Sequence, residues 1–251
     1  MTEHEQKEVV QQGIDLIGQY GQLYDYHKKM ARYHNQNYQA MAGKRLKVRS
    51  PKSDTMAAIT RKKIGRWPLD LSYPEIGGLK DLEIQKSINE LILKKSYDLV
   101  ENQKKRSRNF MQIRGAYEVK LNKRGLLSIY FTNYVFSKGT ARGLTLADSL
   151  TVDLDTGKVY NLKDFFQEGS NYIQRLSIRI KHQIRVGKIQ LITDFHTIHS
   201  DQQFYLTNQG IVIYFQTYAY TPYYYGIPQF TILYRDMIDL MIADGPLPRL
   251  F

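Results

Sequence analysis

Five tyrosines crowd one short loop, QTYAYTPYYYGIPQ: Tyr218, Tyr220, Tyr223, Tyr224 and Tyr225. So many rings cannot all turn inward over so short a stretch. Pro222 and Pro228 restrict the loop, which lowers the entropy lost when it binds something. Aromatic loops of this kind stack on sugar rings or anchor a protein partner. The plainer alternative is that two or three of the rings close over the end of a sheet. Two other groupings carry titratable side chains. His196 and His199 in DFHTIHSD are flanked by Asp194 and Asp201. A His pair three residues apart on a helix can share a metal ion. This segment reads as a connector, and it has neither the glutamate of an HExxH motif nor a third histidine, so no metal or other cofactor is expected. Asp153 and Asp155 share a face if their strand runs straight. Asp155 is better explained as the first residue of the Asp155-Thr156-Gly157-Lys158 turn. The sequence has no GxSxG elbow, phosphate-binding glycine loop or dinucleotide fingerprint. No catalytic residue is assigned, and the chain is not expected to be an enzyme. A hydrolase of cell-wall sugars is the least favoured reading.

The 251 residues carry a formal net charge of +12, 20 tyrosines and no cysteine. The charge favours anionic partners in general: nucleic acid, phospholipid headgroups, anionic wall polymers or an acidic protein. Without cysteine there are no disulfides, thiolate metal sites or cysteine nucleophile. No apolar run reaches the ~20 residues needed to span a bilayer. The first residues, MTEHEQKEVVQQGIDL, lack the apolar core of a signal peptide, so the start alone predicts a cytoplasmic protein.

The elements that must hold these residues follow in order. Residues 1–43 read as helical and peripheral, with Tyr20, Tyr24, Tyr26, Tyr33 and Tyr38 interleaved with His27, Lys28, Lys29, Arg32 and His34. A basic, aromatic face of this kind either packs on a neighbour or meets bases or a membrane surface. Residues 44–66, rich in Lys and Arg and broken by Ser50-Pro51, read as a basic linker. A short strand at Leu69, Leu71 and Tyr73 is expected to end at Pro74. The spacing of Leu82, Ile84, Ile88, Leu91, Ile92 and Leu99 predicts the strongest helix. FMQIRGAYEVKLN and LLSIYFTNYVF flank a hairpin turn at 122–125, and Leu150, Val152 and Leu154 alternate before the DTGK turn. A second helix starts near Ser170 or Asn171 and buries Ile173, Leu176, Ile180 and Ile184. Phe204–Leu206, Ile211–Phe215 and Phe230–Tyr234 predict three more strands. MIDLMIA predicts a short helix or turn, stopped by Gly245-Pro246. The fold class expected is α+β: a mainly antiparallel sheet with two principal helices packed on it, preceded by a helical N-terminal extension.

The order of these segments resembles a two-part cell-envelope module of Gram-positive bacteria. WPLDLSYPEIGGLKDLEIQKSINELI is similar to the N-terminal part of peptidoglycan deacetylases related to the muramic-acid deacetylase. SLTVDLDTGKVYNLKDFFQEGSNYIQRLS, FYLTNQGIVIYF and YTPYYYGIPQFTILY resemble the C-terminal domain of anti-sigma-V factors. Asp153 with the DTGK turn, Phe204-Tyr205-Leu206-Thr207, and Pro222 with Gly226-Ile227-Pro228 and Phe230 are the most specific elements. The resemblance divides the chain into an extension at 1–66, a deacetylase-like part at 67–147 and an anti-sigma-V-like part at 148–251. It implies a non-catalytic module that accompanies cell-wall enzymes or serves as the outer sensor of membrane-bound anti-sigma factors, where the C-terminal domain recognises lysozyme. It also implies an extracytoplasmic location. Relatives carry a Gly-Gly-x-His element where this chain has SKGTARGLT, with Arg142 near the histidine position. They carry an acidic residue where this chain has Gln229. Both differences make the surface more positive and disfavour a basic partner such as lysozyme.

Two functions from different classes follow. The first is a binding or sensor domain that recognises a protein or cell-wall glycan through Tyr218, Tyr220, Tyr223, Tyr224, Tyr225 and Arg142. The second is an intracellular protein that binds nucleic acid or an anionic membrane through its basic N-terminal segment.

Overall fold

The computed structural model describes residues 53–65, 68–106 and 110–251. The expectations for residues 1–43, including the interleaved tyrosines and basic residues, and for the linker at 44–52 lie outside the described residues. The described residues up to Gln183 and from Gln190 to Phe251 form one compact unit, and Ile184–Ile189 fall outside it.

The architecture is α+β, as the sequence implies. The strands form two sheets. Five make a sheet in sequential order: β1 (Ala58–Ile64), β2 (Leu69–Gly77), β3 (Phe110–Lys123), β4 (Leu126–Ser137) and β5 (Leu144–Asp153). All its pairings are antiparallel except β2 with β3, which helix α1 (Leu82–Arg106) connects as a crossover. The second sheet is antiparallel, of β6 (Phe204–Leu206), β7 (Gly210–Tyr214) and β8 (Gln229–Leu233). Helix α2 (Tyr172–Val186) precedes it.

Two local expectations change. Arg61, Lys62 and Lys63, read as linker, lie in the edge strand β1. Charge on an outer strand discourages pairing with another chain, so it does not argue against a strand. Pro74 does not end β2. It pairs across to Arg61, while β3 pairs with β2 only at Leu69–Leu71. From Ser72 onward one side of β2 has no strand beside it, and there a missing N–H costs little. The Asn89 side chain on α1 serves that open side, accepting the Ile76 N–H at 2.8 Å and donating to its carbonyl at 2.9 Å.

Helix α1 starts where Asp81 accepts hydrogen bonds from the N–H groups of Glu83 (2.9 Å) and Ile84 (3.0 Å). These are two of the donors that a helix start leaves unpaired. Its stripe of Ile88, Ile92 and Leu99 packs on Leu127, Ile129 and Phe131 of β4 and on Leu146, Leu150 and Val152 of β5. Each such side chain, fully buried, contributes about 1.5–3 kcal/mol. The β3–β4 hairpin turns on Arg124 and Gly125, both at positive φ (51° and 76°), as a two-residue loop of this hand requires. On the other face of β4, Tyr130 meets Tyr205, Val212 and Tyr214 of the small sheet. Strand β4 is thus covered on both sides. In α2, Leu176, Ser177 and Ile180 are buried, and Ile173 and Ile184 are half-buried. The Ser170 hydroxyl makes no hydrogen bond, so it does not cap this helix.

Asp153 and Asp155 do not form a pair. Asp153 is 1% exposed and Asp155 is exposed. One Asp153 oxygen accepts the N–H groups of Asp155 and Thr156, both at 3.0 Å. The other accepts Arg249 Nη1 at 2.8 Å and the Tyr160 hydroxyl at 3.1 Å. Asp155 instead accepts the Thr55 hydroxyl at 2.7 Å. Burial pushes the Asp153 carboxyl upward. The Arg249 hydrogen bond and charge, the Asp155 N–H and the Tyr160 hydroxyl outweigh it and hold the carboxyl below its ordinary value. Burial, and next the Asp153 charge, push the Tyr160 hydroxyl up to about 12. Asp153→Asn leaves the Arg249 charge uncompensated and should cost about 3 kcal/mol in urea unfolding at pH 7. A carboxyl lowered on folding stabilises above its unfolded value of 3.8. The gap between wild type and variant should therefore narrow below that pH and close as pH falls through the lowered native value. A gap constant across that range would contradict the pairing.

Candidate functional site

The tyrosine loop is held at both ends. Phe215 donates its N–H to the Pro228 carbonyl at 3.1 Å, closing the base. Gln216 then turns its amide onto the edge of β5, accepting the Ala147 N–H at 3.0 Å and donating to the Ala147 carbonyl at 2.7 Å. A side chain here does what a neighbouring strand's backbone would do. The Thr217 hydroxyl adds a bond to the Thr145 carbonyl at 3.2 Å. On the far side, Tyr225 donates its N–H to the Pro222 carbonyl and Gly226 to that of Tyr223, both at 3.0 Å, forming a single 3-10 turn over Tyr223–Tyr225.

Within that frame the five tyrosines separate. Tyr220 packs edge-on against Phe215 (4.8 Å between ring centres) and Phe195 (5.3 Å), and its carbonyl accepts the Ile192 N–H at 2.9 Å. It belongs to an aromatic cluster that ties the connector to the loop. Tyr225 is half-buried. Tyr218 is 53% exposed and Tyr224 is 36% exposed. The Tyr224 hydroxyl donates to Gln190 Oε1 at 2.7 Å. Tyr223 stands between Tyr218, 5.7 Å away between ring centres, and Arg142, whose guanidinium carbon lies 5.2 Å over its ring. That distance is within range for a cation–π contact.

Arg142, in the SKGTARGLT stretch, is far from the loop in sequence. The Tyr223 hydroxyl donates to the Gly143 carbonyl at 2.8 Å, and so fixes the Arg142 turn against the loop. Gly143 packs closely, and a larger residue there would require the Tyr134 ring to move. A Cβ there would lie 2.3 Å from the Tyr134 ring. Arg142 is exposed, and no carboxylate pairs with it among the described residues. The structure therefore brings together Arg142, Tyr223 and Tyr218, with Tyr224 on the same short turn as Tyr223.

Two features of the loop are not legible in sequence. Tyr218 sits at φ 68°, in the left-handed region that a bulky residue avoids. Thr221 is fully buried with its hydroxyl unpartnered. Each carries a local cost of a kind often found at ligand-binding segments.

The other groupings lie elsewhere. His196 and His199 are both exposed, on an irregular stretch rather than a helix. Among the described residues, no group of three or more His, Asp or Glu side chains is placed to hold a metal ion. Gln229, at the position where relatives of the module carry an acid, is exposed and accepts the Tyr205 hydroxyl at 2.6 Å. Burial, with the Glu118 charge next, raises the Tyr205 hydroxyl well above its usual value, so it remains a donor. Lys120, at a bulge in β3, lies 5.1 Å from the Tyr205 ring and 5.4 Å from that of Tyr130.

Similarity to known proteins defines the class. Residues 66–145 match the family described as Deacetylase PdaC, and residues 163–235 match Protein of unknown function (DUF3298). The chain thus carries the two-part module that its sequence resembles, in the same order. It is 30% identical over 192 residues to Anti-sigma-V factor RsiV of Bacillus subtilis (strain 168), across 70% of this chain and 66% of that protein's length. Two crystal structures share the fold. A member of the DUF3298 family from Bacteroides fragilis NCTC 9343 superposes with a TM-score of 0.54 at 16% identity, covering 78% of this chain and 97% of its own. A DUF3298 family protein from Pseudomonas aeruginosa PAO1 gives 0.55 at 15% identity, covering 79% and 98%. No helix among the described residues is long and apolar enough to cross a membrane.

The Tyr218 backbone supplies a direct check on whether its ring is core or surface. Tyr218→Gly relieves the left-handed strain and adds unfolded-state freedom, so unfolding free energy should stay level or rise by up to about 1 kcal/mol. A loss greater than about 1 kcal/mol would mean that the ring is packed and structural.

Proposed function

We propose that this chain is a non-catalytic binding or sensor domain of the cell-envelope type, which recognises a protein or glycan through the tyrosine loop and Arg142. The observation that carries this reading is the meeting of Arg142 with Tyr223, and of Tyr223 with the exposed Tyr218, on a loop stapled to β5. Exposed aromatic rings on a braced loop provide contact area with little entropy left to lose. The relationship to an anti-sigma factor supports a sensing role rather than catalysis. So does the chemistry of the most deeply buried carboxylate among the described residues, since Asp153 is fully engaged by four donors and is not poised to move a proton. The deacetylase-like part, on this reading, is carried for its fold and its surface. An extracytoplasmic location and a Gram-positive origin are parts of the same proposal.

The test is capture by the purified full chain of the host's cell-wall fraction and secreted proteins, immobilised separately on a biosensor. Tyr223→Ala and Tyr225→Ala should each weaken capture at least tenfold, about 1.4 kcal/mol, while a cooperative urea transition is retained. Capture that both variants leave unchanged would overturn the assignment of the loop. Capture that instead falls steeply with salt and disappears on deleting residues 1–66 would point to the basic N-terminal segment.

A further inference from the structure

We infer that the ligand of this site is an acidic glycan, a saccharide that presents a carboxylate to Arg142 while its ring stacks on Tyr218. This rests on the binding reading given above and narrows it to one chemical class. Charge comes first. Neither segment that builds the site contains an acidic residue: SKGTARGL spans 137–144 and QTYAYTPYYYGIPQ spans 216–229. Arg142 is exposed over the Tyr223 ring and no carboxylate of the described residues pairs with it. A guanidinium offers planar pairs of donors, the geometry that matches a carboxylate, and this one is placed over a ring 5.2 Å away. Tyr223 is a positioning residue. Its hydroxyl is tied to the Gly143 carbonyl at 2.8 Å and its ring supports the guanidinium at 5.2 Å.

Stacking comes second. Tyr218 is 53% exposed, held in a left-handed backbone, and its ring centre lies 5.7 Å from that of Tyr223. A bulky residue at that φ costs about 1–2 kcal/mol, and the exposed ring regains little of it by burial. An exposed, positioned aromatic beside a guanidinium fits a ligand with an apolar face and a negative group on its rim. Size comes third. A stable protein interface takes in about 20–30 residues a side, and this patch is built from two short turns. A few sugar units match it better than a folded partner.

The test is an array printed with hexuronic-acid oligomers, the same oligomers as methyl esters, sulfated oligomers and neutral N-acetylglucosamine oligomers. The full chain, its Arg142→Gln variant and its Tyr218→Ala variant are applied in turn. Both substituted side chains are exposed, so folding should persist, and a urea transition on each variant checks it. Binding to the uronic acids, lost at least tenfold on the methyl esters, on Arg142→Gln and on Tyr218→Ala, is the expected result. Arg142→Lys should recover only part of it, since an ammonium cannot make the paired bond. Equal binding to neutral or esterified sugars, a preference for the sulfated oligomers alone, binding indifferent to Arg142→Gln, or no binding on the array would each overturn the inference. If the array is blank while a secreted protein is still captured through Tyr223 and Tyr225, the binding reading stands and the acidic-glycan inference falls. If neither captures, both fall.

Discussion

The tyrosine loop depends on one side chain, the amide of Gln216, bound to both backbone groups of Ala147. The edge of a sheet has donors and acceptors that must be paired, and a buried backbone group left alone costs about as much as a lost hydrogen bond. Gln216 solves that problem for β5 and also fixes where the chain goes next. Thr217 follows onto Thr145, and two residues after Gln216 the backbone is already at the strained Tyr218. The Arg142 turn immediately precedes β5. A loop stapled to β5 is thereby held beside it. The same device recurs twice. Asn89 serves the open side of β2 at Ile76, and Asn122 pairs with the backbone of Ala57, accepting at 3.0 Å and donating at 2.8 Å.

The staple works because β5 itself is rigid. One face of β4 and β5 is covered by α1 and the other by the small sheet, where Tyr130, Tyr205 and Tyr214 pack together. The Tyr214 hydroxyl reaches Ser149 Oγ at 2.9 Å, and Ser128 Oγ accepts the Leu206 N–H at 2.9 Å. Polar groups between the sheets are thus paired across the interface, which sets the register of one sheet on the other. At the far end, Arg249 reaches the buried Asp153, and Arg124 donates to the Arg249 carbonyl at 2.7 Å. The parts read from the sequence as 67–147 and 148–251 meet inside β5, the strand on which both sheets and the loop converge.

What was legible in the sequence was what local physics decides. The spacing of Ile88, Ile92 and Leu99 gives α1, the turn at Arg124-Gly125 gives the hairpin, and the alternation at Leu150 and Val152 gives β5. The exposed tyrosines were legible as a group, because a short loop cannot bury so many rings. Which ring does what was not. Tyr220 looks like Tyr218 in sequence, and only the positions of Phe195 and Phe215 make it part of a core. Strand β1 was hidden because Arg61, Lys62 and Lys63 have the composition of a linker, and their role as an edge appears only once β2 is beside them. The amide staples join residues distant in sequence and have no local signal at all. Arg142 was reached through resemblance, and its meeting with Tyr223 needed the fold.

The chain therefore presents a charged and aromatic patch on a scaffold shared with an anti-sigma factor and with DUF3298 proteins of known structure. Hydrogen–deuterium exchange on the full chain, with and without a soluble digest of the host's cell wall, tests most directly whether that patch is where the protein binds. Slowed exchange confined to residues 139–144 and 216–226 is the expected result, since those backbones carry Arg142 and the tyrosines. Slowed exchange confined to residues 1–66, or to faces remote from the loop, would contradict recognition through the tyrosine loop.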